Sequence, residues 1–407
     1  MIFALAILFI STCFTAYVLH RRFDPIDENF IMEPPVLFDE SDDEAESAYV
    51  IDDGAGSDHH RRKTYTVLVT GGTGVLGWRV AQFALQQFGE ENTFVTIFDL
   101  QLPQKHRTLQ HKNVSYIQGD LTSEVDVVCA FAKTFVNTND TRIVFHIAGL
   151  LPSCSTSIES LNMVNANGAK TIVQFCQNYD VDVLIGTSSA SVVLDRKNTN
   201  VDGDIGEDCA YPQTDSDFVD LYAQSKANGE QIILSANGMR HGIPGDDDYL
   251  ETRLSTCTLR PSIIYAADDQ KFGERLLKCE INYIYGSGEN VIDFVWCDNV
   301  AQGHIDACKY ILKHEKSQRH KSSVSGRAFH MSNFTRKDVK STKEFYSLKQ
   351  WSNPPPTSIP LLLMQLIALF NFFVYRVVGI APIDHYLRPD SFNFMSGRKL
   401  PFGPVTF

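Results

Sequence analysis

The 407-residue chain lacks the residue patterns that mark several common classes of protein. Its nine cysteines are scattered and include no CxxC pair and no cluster with histidine. This argues against a disulfide framework and against a zinc site, and it favours a reducing compartment. No internal repeat or low-complexity tract stands out. We therefore predict a globular protein with no metal centre.

Basic residues are not in excess. The net charge is −13, but residues 24–58 hold thirteen Asp or Glu and no Lys or Arg, so the rest of the chain balances to zero. Because the folded part of the chain has no excess of positive charge, the sequence argues against nucleic acid as a partner. The acidic run is polar and without sustained periodicity, which predicts a solvated, disordered linker over residues 23–63. A short binding motif within residues 30–38 is the alternative.

Long apolar runs are few, and the first lies at the amino terminus. Residues 2–19 contain no charge and are followed by Arg21 and Arg22. As a helix they would be about 27 Å long, close to the ~30 Å of a bilayer core. The basic pair follows the apolar run, which favours a retained anchor over residues 1–22 with the rest of the chain in the cytosol. A cleaved signal peptide and a buried helix are the alternatives.

The chain is organised around a glycine turn between an apolar strand, residues 67–69, and a helix. Gly71, Gly74 and Gly77 have the spacing GxxGxxG, a variant of the dinucleotide-binding fingerprint. A pyrophosphate needs backbone N–H groups and a helix N-terminus without side chains in the way. We therefore predict that this turn, with Val75 and Leu76, binds a dinucleotide; a glycine-rich hairpin without a ligand is the alternative.

The second strand, residues 94–98, ends at Asp99, about twenty residues after the last glycine. A carboxylate here can accept hydrogen bonds from both ribose hydroxyls of NAD and would repel a 2′-phosphate. The sequence thus favours NAD over NADP.

Strands and helices then alternate through residue 259, with Val- and Ile-rich strands. This pattern predicts an α/β fold whose parallel sheet is covered on both faces, with ligands outside the carboxyl ends of the strands. Asp120 and Leu121 follow the third strand, and Ala148 follows the fourth, so we assign all three to the cofactor site. Asp120 could equally cap the following helix.

A second set of residues indicates the chemistry. Tyr222 and Lys226 stand at i and i+4 of a predicted helix, hence on one face. A free phenol has a pKa of about 10, and a neighbouring cation favours the phenolate, so Lys226 would make Tyr222 a base. Ser189, just after the fifth strand, could hydrogen-bond a substrate oxygen as its charge changes; a turn serine is the alternative.

Together these features resemble the extended short-chain dehydrogenase/reductase superfamily, and within it the 3β-hydroxysteroid dehydrogenase group that includes sterol-4α-carboxylate 3-dehydrogenases. Besides the fingerprint and the tyrosine–lysine pair, the resemblance rests on residues 165–168 (NANG), 259–265 (LRPSIIY), 286–295 (GSGENVIDFV), 298–304 (DNVAQGH) and 327–333 (RAFHMSN). A departure is Gly149, where a second alanine is common.

The resemblance implies a Rossmann-type doubly wound parallel sheet with a smaller C-terminal region that caps the substrate. It also implies that Pro261 lines the nicotinamide side and that Tyr222, Lys226 and Ser189 are catalytic. We divide the chain accordingly into an anchor (1–22), a linker (23–63), a Rossmann core (64–265), a substrate-binding region (266–358), an apolar segment (359–381) and a tail (382–407).

The apolar segment is interrupted by Gln365, Asn371 and Arg376. Its most apolar part, residues 361–375, would form only about 22 Å of helix, short for a bilayer span. We therefore predict a helix that lies in the membrane interface or forms an apolar mouth to the substrate site. A true span and a core helix are the alternatives.

The leading functional prediction is a membrane-anchored, NAD-dependent oxidation of the 3β-hydroxyl of a sterol, with loss of CO₂ if the substrate carries a 4α-carboxylate. We expect membrane lipid as a partner, the endoplasmic reticulum as the location, and leave a homodimer open as the assembly. Three rivals are a steroid dehydrogenase coupled to Δ5-isomerisation, a reductase or epimerase acting on soluble substrates, and a non-catalytic NAD-binding scaffold.

Overall fold

A computed structural model describes residues 63–104, 107–137, 140–153, 156–196, 206–240, 253–269, 283–285, 288, 293–333 and 357–373. The predicted anchor (1–22), all but the last residue of the acidic linker and the tail (382–407) lie outside these residues. None of the helices in the described ranges combines the length and the apolar composition needed to cross a bilayer.

The core is a parallel sheet of seven strands. They are β1 (Tyr65–Thr70), β2 (Thr93–Asp99), β3 (Val114–Gln118), β4 (Thr141–His146), β5 (Val183–Thr187), β6 (Ser255–Pro261) and β10 (Arg327–Met331), in the spatial order β10-β6-β5-β4-β1-β2-β3. Val67, Leu68 and Val69 of β1 are fully buried on both faces, as a strand between two helical layers requires. The predicted α/β class and doubly wound sheet are confirmed.

Helices cover both faces of the sheet. One face packs against α1 (Gly77–Gln87) and α6 (Cys297–Leu312); the other packs against α2 (Glu124–Thr134), α4 (Gly168–Asn178) and α5 (Leu221–Ser235). A short helix α3 (Ile158–Asn162) continues through a π-helical turn (Met163–Asn167) into α4. The start of α5 is fixed by Asp220, whose Oδ1 accepts a hydrogen bond from the Ala223 amide at 2.7 Å. This cap sets the register of the helix that carries Tyr222 and Lys226.

Four short strands form two parallel pairs that are separate from the main sheet. β7 (Ile263–Tyr265) pairs with β9 (Phe294–Trp296), and β8 (Tyr283–Tyr285) pairs with β11 (Thr357–Ile359). The main sheet is completed only by β10, which pairs with β6 in parallel, and α6 packs on the same sheet. The sequence boundary at residue 265 therefore does not mark the end of the sheet, because its last strand and a covering helix come from beyond it.

The apolar segment contains α7 (Leu361–Phe373) as its described part. Met364 and Ala368 are buried, whereas four apolar side chains spaced four, three and four residues apart are 50% to 69% exposed. We call these four the apolar stripe; they are Leu362, Leu366, Leu369 and Phe373. At about 1.5 Å per residue, α7 is about 20 Å long.

Candidate active site

The glycine turn connects β1 to α1 at the carboxyl edge of the sheet. Gly71 has φ +68° and lies so close to the segment after β4 that a Cβ would sit 2.7 Å from the backbone N and Cα of Ala148. At Gly77 a Cβ would collide with the Gly71 carbonyl oxygen. These two glycines are therefore required by the packing of strand, turn and helix.

Gly74 is different, because the packing of the protein does not require a glycine there. It is exposed, and a Cβ would meet only the Gly71 carbonyl oxygen, at 3.3 Å. The N-cap residue of the following helix, α1, is Leu76, which provides no side-chain cap, and the first turn of α1 has no acidic residue. Open space over a glycine and uncapped helix amides together form a cradle that fits a dinucleotide pyrophosphate.

Asp99 lies next to this cradle at the end of β2. Its Oδ2 accepts a hydrogen bond from the Thr73 amide at 3.0 Å, and its Oδ1 accepts one from the Gln101 amide at 3.3 Å. The carboxylate is thus held against the glycine turn and stays partly exposed. This is the location that a carboxylate needs to reach an adenosine ribose.

Asp120 lies after β3, two strand positions from β1. Its Oδ1 accepts hydrogen bonds from the amide and the hydroxyl of Thr122, both at 2.8 Å. The cap of α2 is Ser123, whose hydroxyl accepts from the Asp126 amide, so the alternative that Asp120 caps this helix is wrong. The helix cap comes three residues after Asp120 because the Asp120 side chain first forms a turn with Thr122.

The neighbouring Leu121 is buried. A Cβ at Gly168 of α4 would lie 2.7 Å from its Cδ2, so its side chain packs between the strand end and α4. The Leu121 side chain is therefore occupied by this packing and is not free to contact a ligand at the sheet edge.

Hydrogen bonds connect the end of β4, and the segment after it, to the end of β1. His146 Nδ1 and Thr70 Oγ1 are 2.8 Å apart, and the Ala148 amide donates to the same hydroxyl at 3.3 Å. Burial, with a smaller contribution from the charge of Lys226, lowers the pKa of His146 to about 3. The imidazole is therefore neutral at physiological pH, and Ala148 presents its backbone beside the glycine turn.

The structure brings the predicted catalytic hydroxyls together. Ser189 precedes a 3₁₀ turn (Ala190–Val193) after β5 and hydrogen-bonds the Tyr222 phenol from α5. The Ser189 and Ser191 hydroxyls lie 2.8 Å apart, and Ser189 Oγ also accepts from the Ser191 amide. Serine and tyrosine thus meet at the carboxyl edge of β5, where a substrate oxygen could contact both.

The pKa of Tyr222 is shifted opposite to the sequence-based expectation. Burial, and after it the negative charge of Asp220, raise the pKa of the phenol well above its ordinary value, while the hydrogen bond from Ser189 lowers it. In the protein alone the phenol is therefore protonated. The sequence argument counted the cation on the same helix face but could not include desolvation or the helix cap.

Lys226 lies one helical turn below Tyr222 and is buried. Its Nζ donates a 2.6 Å hydrogen bond to the carbonyl of Thr187, at the end of β5. Burial lowers its pKa from 10.5 to about 8, against the opposing effect of the Glu230 carboxylate. Near neutral pH Lys226 is still mostly charged.

Pro261, assigned to the nicotinamide side, ends β6 and pairs with Met331 of β10. The register of β5 and β6 pairs Thr187 with Leu259. Pro261 therefore lies just beyond the end of β5, beside the turn that holds Ser189.

The structure also reveals contacts that sequence reasoning missed. Asn165, in the π-helical turn, accepts from the Leu150 amide at 2.8 Å and donates to Ser225 of α5 at 2.9 Å. The Thr187 hydroxyl donates to His304 Nε2 at 2.8 Å, because Nδ1 donates to the Val300 carbonyl. Both Asn165 and His304 occur in the stretches that carry the family resemblance, which is the signal that could have singled them out.

Comparison with known proteins agrees with this geometry. The family model described as "3-beta hydroxysteroid dehydrogenase/isomerase family" matches residues 68–361. A relative in Mus musculus, named sterol-4-alpha-carboxylate 3-dehydrogenase, decarboxylating, is 30% identical over 284 residues, covering 68% of this chain and 66% of the mouse protein. The matched region thus spans slightly less than two thirds of that relative's length.

Two further matches each cover a larger share of the protein that is compared with this chain. Short-chain dehydrogenase/reductase family 42E member 1 of Homo sapiens is 29% identical over 330 residues, covering 79% of this chain and 77% of that protein. The crystal structure of a dTDP-glucose 4,6-dehydratase from Bacillus anthracis in complex with NAD superposes with a TM-score of 0.52 at 16% identity, covering 73% of this chain and 85% of that one. This structural likeness supports the fold. With a family model that matches most of the chain, the expected family is confirmed, and the chain belongs to the 3-beta hydroxysteroid dehydrogenase/isomerase family.

Proposed function

We propose that the protein is an NAD-dependent dehydrogenase that oxidises the 3β-hydroxyl of a sterol. The observation that carries this proposal is the hydrogen-bonded pair of Ser189 and Tyr222 above the buried Lys226, at the same sheet edge as the glycine cradle. This arrangement provides a base for a hydroxyl proton beside a site for a hydride acceptor. The name of the mouse relative supports a sterol substrate with a 4α-carboxylate.

Each residue has a distinct role in the proposed oxidation. Tyr222, as the phenolate, takes the proton of the substrate hydroxyl, and Ser189 holds the substrate oxygen by a hydrogen bond as its charge changes. Lys226 stabilises the phenolate and binds the nicotinamide ribose. A bound oxidised nicotinamide would supply, at C4 of its own ring, the acceptor for the hydride that leaves carbon 3 of the sterol, and its positive charge would favour the phenolate.

The same reaction accounts for a loss of CO₂. Oxidation of the 3β-hydroxyl of a 4α-carboxylated sterol gives a ketone one carbon from the carboxylate, that is, a β-keto acid. Such an acid loses CO₂ by its own chemistry. The protein then needs only to carry out the oxidation and to hold the product.

We infer that NAD is the cofactor because Asp99 faces the cradle. Changing Asp99 to Asn keeps an acceptor for the Thr73 amide and removes the negative charge. We expect the ratio of kcat/KM for NAD over NADP to fall by about 10-fold to 100-fold, since one tenfold step corresponds to about 1.4 kcal/mol of discrimination. Initial rates with both cofactors measure this ratio.

Asp120→Asn is the matched control for that prediction. Asp120 is proposed to contact the adenine amino group, which NAD and NADP share. The variant is therefore expected to weaken both cofactors to a similar extent. An unchanged preference in Asp99→Asn would show that another residue selects the cofactor.

We further propose that the protein acts at a membrane, through a retained anchor in residues 1–22 and through α7 lying in the bilayer interface. The apolar stripe of α7 supports this, because one face of the helix packs on the protein and the other offers apolar side chains. The endoplasmic reticulum, with the catalytic part in the cytosol, is the location that suits sterol chemistry. A homodimer is the assembly we would test first.

Replacing Leu366 and Leu369 with Ser tests this role of α7. In a chain that lacks residues 1–22, we expect the fraction bound to phosphatidylcholine vesicles to fall at least about tenfold, because two leucines each lose apolar contact worth more than 1 kcal/mol. Vesicle flotation measures the bound fraction. A Val125→Ser, Val136→Ser chain, which changes two exposed apolar residues on and after α2, is the control. Equal binding of all three chains would contradict the proposal.

The function is tested with the detergent-solubilised protein, NAD and a panel of 3β-hydroxysterols with and without a 4α-carboxylate. NADH together with CO₂ is the expected result. NADH without CO₂ would favour a non-decarboxylating steroid enzyme, and an isomerised product would indicate the Δ5-isomerase rival. Binding of NAD without oxidation of any sterol would overturn the proposal in favour of a soluble substrate or a scaffold.

A further inference from the structure

A buried ion pair lies behind the catalytic lysine. Arg260 of β6 contacts Glu230 of α5 through Nη2, 2.7 Å from Oε1, and through Nε, 3.0 and 3.1 Å from the two carboxylate oxygens. The two side chains are 3% and 0% exposed. Two hydroxyl groups also donate to the carboxylate, from Tyr211 at 2.6 Å and from Thr258 at 3.3 Å.

Stability alone is a weak reason to keep such a pair. Removing two charges from water is costly, and buried pairs can often be replaced by apolar residues of similar size without loss of stability. The structural explanation is that the pair ties α5 to β6 and to the segment around Tyr211. This explanation does not say why the contact is made by two charged residues.

The location of the carboxylate suggests a reason. Glu230 stands at i+4 from Lys226 on the same face of α5, and the two residues line one small cavity together with Asn165, Thr187 and Ser188. The negative charge of Glu230 opposes the effect of burial on Lys226. Arg260 holds the carboxylate in place from the opposite side.

The titratable groups that the structure describes around this site are neutral or act mainly on another side chain. His146 from β4 and His304 from α6 are uncharged, since burial lowers their pKa values to about 3 and about 4. His330, paired with Arg260 across β6 and β10, has its pKa lowered to about 3 by burial and by that guanidinium. Burial raises the pKa of the Tyr211 phenol well above its ordinary value, and the charge of Asp220 acts on Tyr222.

We propose that Glu230, held by Arg260, is a positioning residue that keeps the buried Lys226 in its ammonium form at working pH. This inference rests on the proposed function, in which the ammonium group binds the ribose and stabilises the phenolate. Glu230 contacts neither substrate nor cofactor in this proposal; it acts through Lys226.

The test follows the pH dependence of NAD binding, which needs no sterol, and of kcat. In the parent, the dissociation constant for NAD is expected to rise as pH increases through about 8, when Lys226 loses its proton. Glu230→Gln keeps the shape and an acceptor for Tyr211 but removes the charge. We expect the midpoint of this rise, and of the alkaline fall in kcat, to move down by about one pH unit.

Two further variants make the result decisive. Glu230→Gln with Arg260→Gln removes both charges, so no unpaired buried guanidinium is left to unfold the protein, and it is expected to shift the midpoint in the same direction. Glu91→Gln removes an exposed carboxylate that pairs with Lys112 at 2.9 Å and is expected to leave the midpoint unchanged. If Glu230→Gln alone does not fold, the midpoint measured with the double variant tests the inference.

Each outcome separates this inference from the proposed function. A lower melting temperature with the parent's midpoint in both Glu230 variants would mean a purely structural ion pair and would overturn the inference. A shifted midpoint of NAD binding in a protein that oxidises no sterol would support the inference and overturn the proposed function.

Discussion

Changing Tyr222 to Phe is expected to lower kcat for sterol oxidation by about 10³-fold, while the dissociation constant for NAD changes by no more than about twofold. The substitution removes only the hydroxyl that Ser189 hydrogen-bonds, and the ring still fills the first turn of α5. A positioned general base contributes about 10²-fold to 10⁴-fold to a proton transfer. NADH absorbance gives kcat, and a fluorescence titration gives the dissociation constant.

Two control variants show whether the loss is specific to this phenol. Ser189→Ala removes the hydrogen-bonding partner but leaves the base, so we expect a smaller loss, of about 10-fold to 100-fold. Tyr116→Phe removes a phenol on β3 that is bonded to the Leu109 amide and is expected to leave kcat unchanged. If Tyr222→Phe oxidised sterols as well as the parent does, the base would have to be another group, although the fold and the family would stand.

Much of the fold follows from local signals in the sequence. The apolar run 67–69, the glycine turn and the alternation through residue 259 predict a parallel sheet with helices between its strands, and the structure has β1 to β6 and their helices in this range. The last strand was not predicted. β10 joins the sheet through pairing of residues 327–331 with β6, a contact across some seventy residues that no local periodicity encodes.

Some features of the candidate site were also predictable from the sequence, and others were not. Spacing alone put Tyr222 and Lys226 on one helix face, and strand order put Ser189 near them. The direction of the Tyr222 pKa shift was not predictable, because it depends on burial and on the helix cap Asp220. The pairing of Glu230 with Arg260 was not predictable either, since the two residues come from different elements thirty positions apart.

Lys226, which the proposed reaction needs in its charged form, is expected to cost stability. Burial lowers its pKa from 10.5 to about 8, which means that the folded protein binds this proton less well than the unfolded chain does. The resulting penalty is fully present below pH 8, where both states are protonated, and is relieved progressively between pH 8 and 10.5. At neutral pH it amounts to about 3 kcal/mol at most.

Changing Lys226 to Met is therefore expected to abolish sterol oxidation and yet to stabilise the protein without cofactor. We expect the free energy of unfolding at pH 7 to rise by about 1–3 kcal/mol, because the penalty disappears and the loss of one hydrogen bond to the Thr187 carbonyl offsets part of the gain. The difference between variant and parent is expected to shrink as pH rises from 8 to 10.5. Urea unfolding at several pH values measures it. A variant less stable than the parent at pH 7, by an amount that does not change with pH, would mean that Lys226 is held in the fold by its contacts and carries no buried-charge penalty.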